Sequence, residues 1–242
     1  MMKYNKHFML SQLLLSVYFF SVYSQQPITG IIENMPSDKP PMNIVLFMFG
    51  MDDPVKVGEV DQFGNIKIDF PEQLPNDIST EIKDQFTSEL IHTFHFSCMD
   101  RDIFNPDTKA ITAFKGGYFS LSHSEELWEG TLFPVSDTAL VEWLEDPHYQ
   151  NPVISSFWEV IYSTQEINLD VTCLENVWLG EKEVAVQYHY DMQLKEGFNM
   201  IEYHIEAIME SDISDVPSIP SVVKVTNNTD FESIKWVSKY YY

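Results

Sequence analysis

Apolar and polar residues alternate along most of this chain, and the period is two. Val55 and Val57, then Val60 after a glycine, share one face. Ile66, Ile68 and Phe70 do the same. Gly64 in "DQFGN" supplies the turn between these runs, because a residue without Cβ adopts positive φ freely. With "ITGIIEN" and "MNIVLFMFG", residues 25–76 read as a small N-terminal β-sandwich. The period then changes. Ile78, Ile82, Phe86 and Leu90 are spaced by four, and Asp77 or Ser79 can cap the first turn with Glu81 at the positive end of the dipole. This predicts a helix over about 79–91 that joins two β regions and places a linking segment at 77–92. From Thr93 onward the strand pattern returns in "TFHFSC", "AITAFKGGYFSLS", "LWEGTLFPVS", "SFWEVIYST", "EINLDVTCLE", "EVAVQYHYDMQL", "FNMIEYHIEAI" and "SIKWVSKYYY". One short helix is expected at "DTALVEWLED", capped by Ser136 or Asp137, and "ESDISDVPSIPS" reads as a loop. The fold class expected is mainly β: the small sandwich, one linking helix, and a larger antiparallel β-sandwich over 93–242.

The clearest alternation is in "VQYHYDMQLKEGFNMIEYHIE". Val184, Val186, Tyr188, Tyr190, Met192 and Leu194 face one way; Ile201, Tyr203, Ile205 and Ala207 form the matching set. A turn at Glu196-Gly197 would make these arms a hairpin with apolar facing apolar. The outward pairs would then be Asp191 opposite Glu202, His189 opposite His204, and Gln187 opposite Glu206. Opposed side chains have Cβ atoms about 5 Å apart, so two imidazoles beside two carboxylates could hold Zn²⁺. The alternative is an ordinary solvated face.

The first 24 residues change the setting. Lys3 and Lys6 precede an apolar run from Phe8 to Phe20, and Val22 and Ser24 precede Gln25. This is the layout of a secretory signal peptide, and the apolar run is shorter than the roughly 20 residues a membrane span needs. The protein is expected to be exported, to the periplasm, the cell envelope or outside the cell. No later run is apolar enough to span. Its two cysteines, Cys98 and Cys173, can then pair, with two buried thiols as the alternative. A single N-x-T sequon sits at Asn227.

Charge narrows the partners. Lys and Arg number 14 against 37 Asp and Glu, a formal net charge of −23. Phosphate backbones and anionic lipid need a basic surface, so nucleic acid is disfavoured, and a protein or glycan partner is left.

Several further constellations are weighed on residue type. "CMDRDIFNPD" gathers Asp100, Asp102, Asn105 and Asp107, oxygen donors suited to Ca²⁺, but Asn105 and Ile111 stand where an EF-hand loop needs Gly and Glu. Asn105-Pro106 would equally nucleate a solvated turn. His92, His95 and Cys98 are three apart, which in a strand puts them on opposite faces. Glu125, Glu126, Glu129, Glu142 and Glu145 could supply acid pairs, without any spacing that selects one. No G-x-S-x-G, H-E-x-x-H or P-loop occurs, and no residues form a catalytic set. Trp128, Trp143, Trp158, Trp178 and Trp236 are core candidates first and sugar platforms second.

The segment "ITGIIENMPSDKPPMNIVLF…VGEVDQFGNIKIDF" resembles the small β-sandwich, of the carboxypeptidase-regulatory-like type, that opens many exported Bacteroidetes proteins. The part with "VEWLED" and "MQLKEGFNMIEYHI" is similar to uncharacterised exported proteins of the same bacteria, in which an L-K-x-G-W-N hairpin recurs; here Phe198 replaces the Trp. The resemblance implies an envelope or secreted location and carries over no catalytic residue. The function expected is therefore a non-enzymatic exported protein that binds a partner or ligand. A metal-binding or metal-dependent hydrolytic protein, and a carbohydrate-binding module, are the alternatives.

Overall fold

Val, Ile and aromatic side chains alternating with polar ones build fourteen strands among the residues described, 27–98, 110–213, 215–227 and 230–241 of this computed structural model. The chain is mainly β. The expected leader at 1–24 and the Asp100, Asp102, Asn105 and Asp107 loop lie outside the described residues.

Four short strands come first: β1 (Ile28–Ile31), β2 (Met42–Leu46), β3 (Val55–Val60) and β4 (Asn65–Ile68). The β3–β4 turn has Gly64 at φ 82°, and Asp61 Oδ1 accepts from the backbone of Phe63 and Asn65. Helix α1 (Thr80–Phe86) follows, capped by Ser79, whose Oγ accepts from Ile82 N at 3.2 Å. It is shorter than the 79–91 expected. Thr87 is already extended, and Leu90 and Ile91 turn into the core as a single 3-10 turn. The rest is β5 (Ser88–Glu89), β6 (Thr112–Gly117), β7 (Phe119–Ser122), β8 (Gly130–Val135), α2 (Leu140–Glu145), β9 (Ser156–Ser163), β10 (Ile167–Leu179), β11 (Lys182–Leu194), β12 (Gly197–Met209), β13 (Ile219–Thr226) and β14 (Lys235–Tyr240). Asp137 Oδ1 accepts from Ala139 N just before α2, while Ser136 Oγ accepts from Ser156 N instead. The run 93–98, expected as a strand, is irregular.

The ladder is continuous, and its two halves are joined by the single β8–β9 pair Val135↔Phe157. One runs β1-β4-β3-β2-β7-β8-β14. Its ends meet: Ile32 bridges Trp236, and Asn34 brackets Ser238, accepting from its N at 2.9 Å and donating to its O at 2.6 Å. The expected boundary at 77–92 therefore does not divide the pairing. The N-terminal strands share a sheet with β7, β8 and the C-terminal β14. The other half runs β5-β6-β9-β12-β13-β11-β10.

Two cores lie on opposite faces of β9. Trp158 and Val160, with Phe198 and Met200 of β12, face the first half. Phe157 and Ile161, with Ile201, Tyr203 and Ile205, face α2 and the 90–98 segment. All eight residues of β9 are buried for that reason. The predicted inward set of β11, Val184 to Leu194, is buried without exception.

The expected hairpin is absent. β13 enters between β11 and β12, parallel to the first and antiparallel to the second. Its Val223 and Val225 are fully buried and complete the inner face. The connection is locked in this splayed form by Asn199. Its Oδ1 accepts from Lys195 N at 3.0 Å, and its Nδ2 donates to Lys195 O at 2.8 Å and Gly197 O at 2.9 Å. At the same end Asn227 Oδ1 accepts from Gln193 N at 3.0 Å, and its Nδ2 donates to Gln193 O at 2.6 Å.

Candidate functional site

With β13 in place, the four residues of the Zn²⁺ reading spread over the outer face. His189 and His204 are each register partners of Lys224, one strand away on either side. They do not face each other. His189 Nδ1 lies 3.0 Å from Thr172 Oγ1, and His204 Nδ1 lies 2.9 Å from Ser156 Oγ. Asp191 pairs with Lys224 Nζ at 3.4 Å, and Glu202 Oε1 accepts from Ser156 Oγ at 2.7 Å. A lysine ammonium at the midpoint repels a cation there.

Ser156, His204 and Glu202 together invite comparison with a hydrolase triad. The hydrogen bonds argue otherwise. One hydroxyl has one proton, and it goes to Glu202. Ser156 Oγ must then accept from His204 Nδ1–H, so this nitrogen cannot take the serine proton. A triad needs the acid on the far nitrogen of the imidazole, where it orients the base.

On the inner face the structure assembles a group that sequence reasoning missed. Glu159, whose side chain is 3% exposed, projects from β9 into the core and meets His95 Nδ1 at 3.1 Å. The imidazole, 25% exposed, is packed among Phe96, Phe157, Tyr203 and Trp143. His95 N donates to Tyr203 Oη at 2.9 Å, and Tyr190 Oη donates to Phe96 O at 2.5 Å. Tyr118 is half-buried beside them, with its hydroxyl fully covered. Burial first, and the Glu159 carboxylate second, push its phenol well above the usual range; burial does the same to Tyr203. Neither Tyr118 Oη nor Glu159 Oε2 has a well-formed hydrogen bond. One signal in the sequence points here: an acid inside "SFWEVIYS", a run apolar enough to be covered on both faces.

Chemically, a carboxylate on Nδ1 orients an imidazole for proton transfer or metal ligation. Among the described residues His95 and Glu159 have no third His, Cys, Asp or Glu at ligand distance. Among the described residues the one trio of His, Cys, Asp or Glu at ligand distance is Cys98, Cys173 and Glu175. Those cysteines form a disulfide, which removes the thiolates a metal needs. The inner group instead fastens segment 93–98 across the sheet, through one side-chain bond to β9, one backbone bond each to β11 and β12, and the disulfide to β10.

Of the remaining acids, Glu129 and Glu145 are held by neighbours. Glu129 sits between Lys39 and His123, and the Lys39 hydrogen bond lowers its carboxyl pKa. Glu145 pairs with Lys239 at 2.9 Å. Trp143, Trp158 and Trp236 are in the cores. Trp128 packs on Tyr241 at a 42° tilt, so the two rings offer no common plane to a sugar. Trp178 is the exception: it is 71% exposed on the outer face of β10, with Leu174, 69% exposed, on the same side. Among the described residues no helix is long and apolar enough to cross a membrane. No family model, curated protein or solved structure matches the chain.

Proposed function

We propose that this is an exported, non-enzymatic β protein that binds a partner protein at the cell envelope or outside the cell, and that it binds through the outer face of β10 and β11. The observation that carries the reading is the exposure of Leu174 and Trp178 on one face of the sheet's terminal strand. Aromatic residues on an otherwise polar surface are the usual anchors of an interface. Export is supported by the N-terminal leader pattern and by the Cys98–Cys173 disulfide, a bond kept in oxidising compartments.

The test is cross-linked capture from envelope and culture-medium fractions, wild type beside the Leu174→Ser, Trp178→Ser double variant. The reading expects cross-links that map to β10 and β11 and vanish in the variant. Identical capture by both proteins contradicts it. An oligosaccharide stacked on Trp178 is the second reading, favoured by that ring's exposure, and a glycan array with the same variant separates the two.

A further inference from the structure

The manner of binding follows from the edge of β10, and it rests on the outer face of β10 and β11 being the binding face. Among the described residues β10 pairs on one side only, with β11, in unbroken register from Ile167↔Leu194 to Leu179↔Lys182. Gly180-Glu181 closes the hairpin, with Gly180 at φ 62°. In a two-residue hairpin the closing pair exchanges both main-chain hydrogen bonds, and the pattern then alternates. Odd-numbered residues of β10 therefore point N–H and C=O at β11. Asn168, Asp170, Thr172, Leu174, Asn176 and Trp178 point theirs away. All six side chains are exposed, and among the described residues no strand pairs with this side.

At about 3.3 Å per residue the open edge is roughly 40 Å long. Proteins ordinarily interrupt such an edge with proline, lysine or a bulge, because it templates another strand. β10 has no proline, no lysine and no register shift. We propose that it receives an extended basic segment of a partner protein as an added strand.

Charge selects this occupant over a second copy of the chain. Asp170 lies opposite Asp191, Trp178 lies opposite Glu183, and Glu166 and Glu181 flank the two ends of β10. Another copy, at net −23, brings more negative charge to the edge. A segment with Lys or Arg at each end and small β-forming residues between gains an ion pair at Asp170 and a cation–π contact at Trp178. Those two positions are about 27 Å apart along the strand. The main-chain bonds supply affinity and the outward side chains supply selection.

The experiment uses the exported chain and a synthetic peptide of about ten residues, alternating Thr and Val with Lys at both ends, a length set by the strand rise. Two companions carry Glu in place of Lys, or N-methyl groups on every second amide. Asn176→Pro removes one outward N–H without touching the β11 ladder, and Asn176→Thr restores it. The expected result is binding of the Lys peptide that weakens with salt and falls at least about tenfold with the Glu peptide, the N-methylated peptide or Asn176→Pro. Equal binding of plain and N-methylated peptides, lost in the Leu174→Ser, Trp178→Ser variant, overturns strand addition and leaves the face as the binding surface. A wild-type dimer that Asn176→Pro converts to monomer makes a second copy the occupant and overturns the basic segment. A monomer that binds no peptide overturns strand addition as well; the cross-linking result above then decides the face on its own.

Discussion

The two faces of the sheet β9-β12-β13-β11-β10 use the same residue types to opposite ends. On the inner face a histidine and a glutamate meet at 3.1 Å under a cover of aromatic rings. On the outer face each of two histidines has an acid two residues away on its own strand, His189 with Asp191 and His204 with Glu202, and each is satisfied by a neighbour of another kind: Thr172, Ser156 or Lys224. Water decides the difference. A polar pair cut off from solvent costs free energy when broken, so it fixes structure. On the outer face the β9–β12 part is half-covered, with Ser156 buried, while the β10–β11 part is exposed, so its polar pairs are replaceable and that part is free to recognise something else.

The comparison can be tested by substitution, beginning with the strongest tether. Replacing Cys98 and Cys173 by Ser frees a crosslink spanning 75 residues, and loop entropy predicts a loss of about 4 kcal/mol in urea unfolding. His95→Ala leaves Glu159 buried without its partner and is expected to cost about 3 kcal/mol. His204→Ala, which keeps the Ser156–Glu202 bond, is expected to cost under about 1 kcal/mol in the same assay. Equal losses for the two histidines would erase the distinction between the faces.

Alkaline pH probes the inner face by itself. Burial pushes Tyr188 up to about 12, and Tyr118, Tyr190 and Tyr203 are raised too. An unfolded phenol titrates near 10. The folded state thus favours the neutral form. That stabilisation is complete below about pH 10 and is lost as pH rises through the folded value, about 12 for Tyr188. Ultraviolet titration should show these phenols ionising only as the protein unfolds. Ionisation near pH 10 in the folded protein would mean that water reaches these phenols on the inner face. A similarly small effect belongs to Asn176→Pro, about 1 kcal/mol, because its outward N–H leaves the ladder intact and only the fixed φ strains the strand. A loss as large as that of His95→Ala would place the Asn176 amide inside the ladder and remove the open edge.

Much of the β framework was legible because alternation reports burial directly. The inward residues of β11, Ile201, Tyr203 and Ile205 of β12, the β3–β4 turn at Gly64 and the Ser79 cap lie where the pattern places them; Ala207 does not, because the ladder shifts register there and leaves it half-buried. The pairing of the long strands was not legible. "SIPSVVKVT" begins inside the Pro- and Ser-rich stretch 210–221 that reads as loop, yet the strand starts at Ile219, and Val223 and Val225 make it the one that parts the hairpin arms. Register between neighbours in sequence is set by what else can fill the core, and local periodicity carries no record of a strand arriving from 20-odd residues away. The linking helix stopped early for a similar reason: Leu90 and Ile91 are worth more in the core than on a helix surface. Glu159 stayed hidden because one acid in an apolar run reads as an outward residue until both faces of β9 are known to be covered.

Hydrogen exchange along β10 tests the central claim most directly. In the free protein the amides of Asn168, Asp170, Thr172, Leu174, Asn176 and Trp178 should exchange fast while their odd-numbered neighbours are protected. Adding the Lys peptide should slow the even-numbered set. Even-numbered amides that are protected before any peptide is added, or that stay fast once it is bound, would contradict an open edge that takes up a strand.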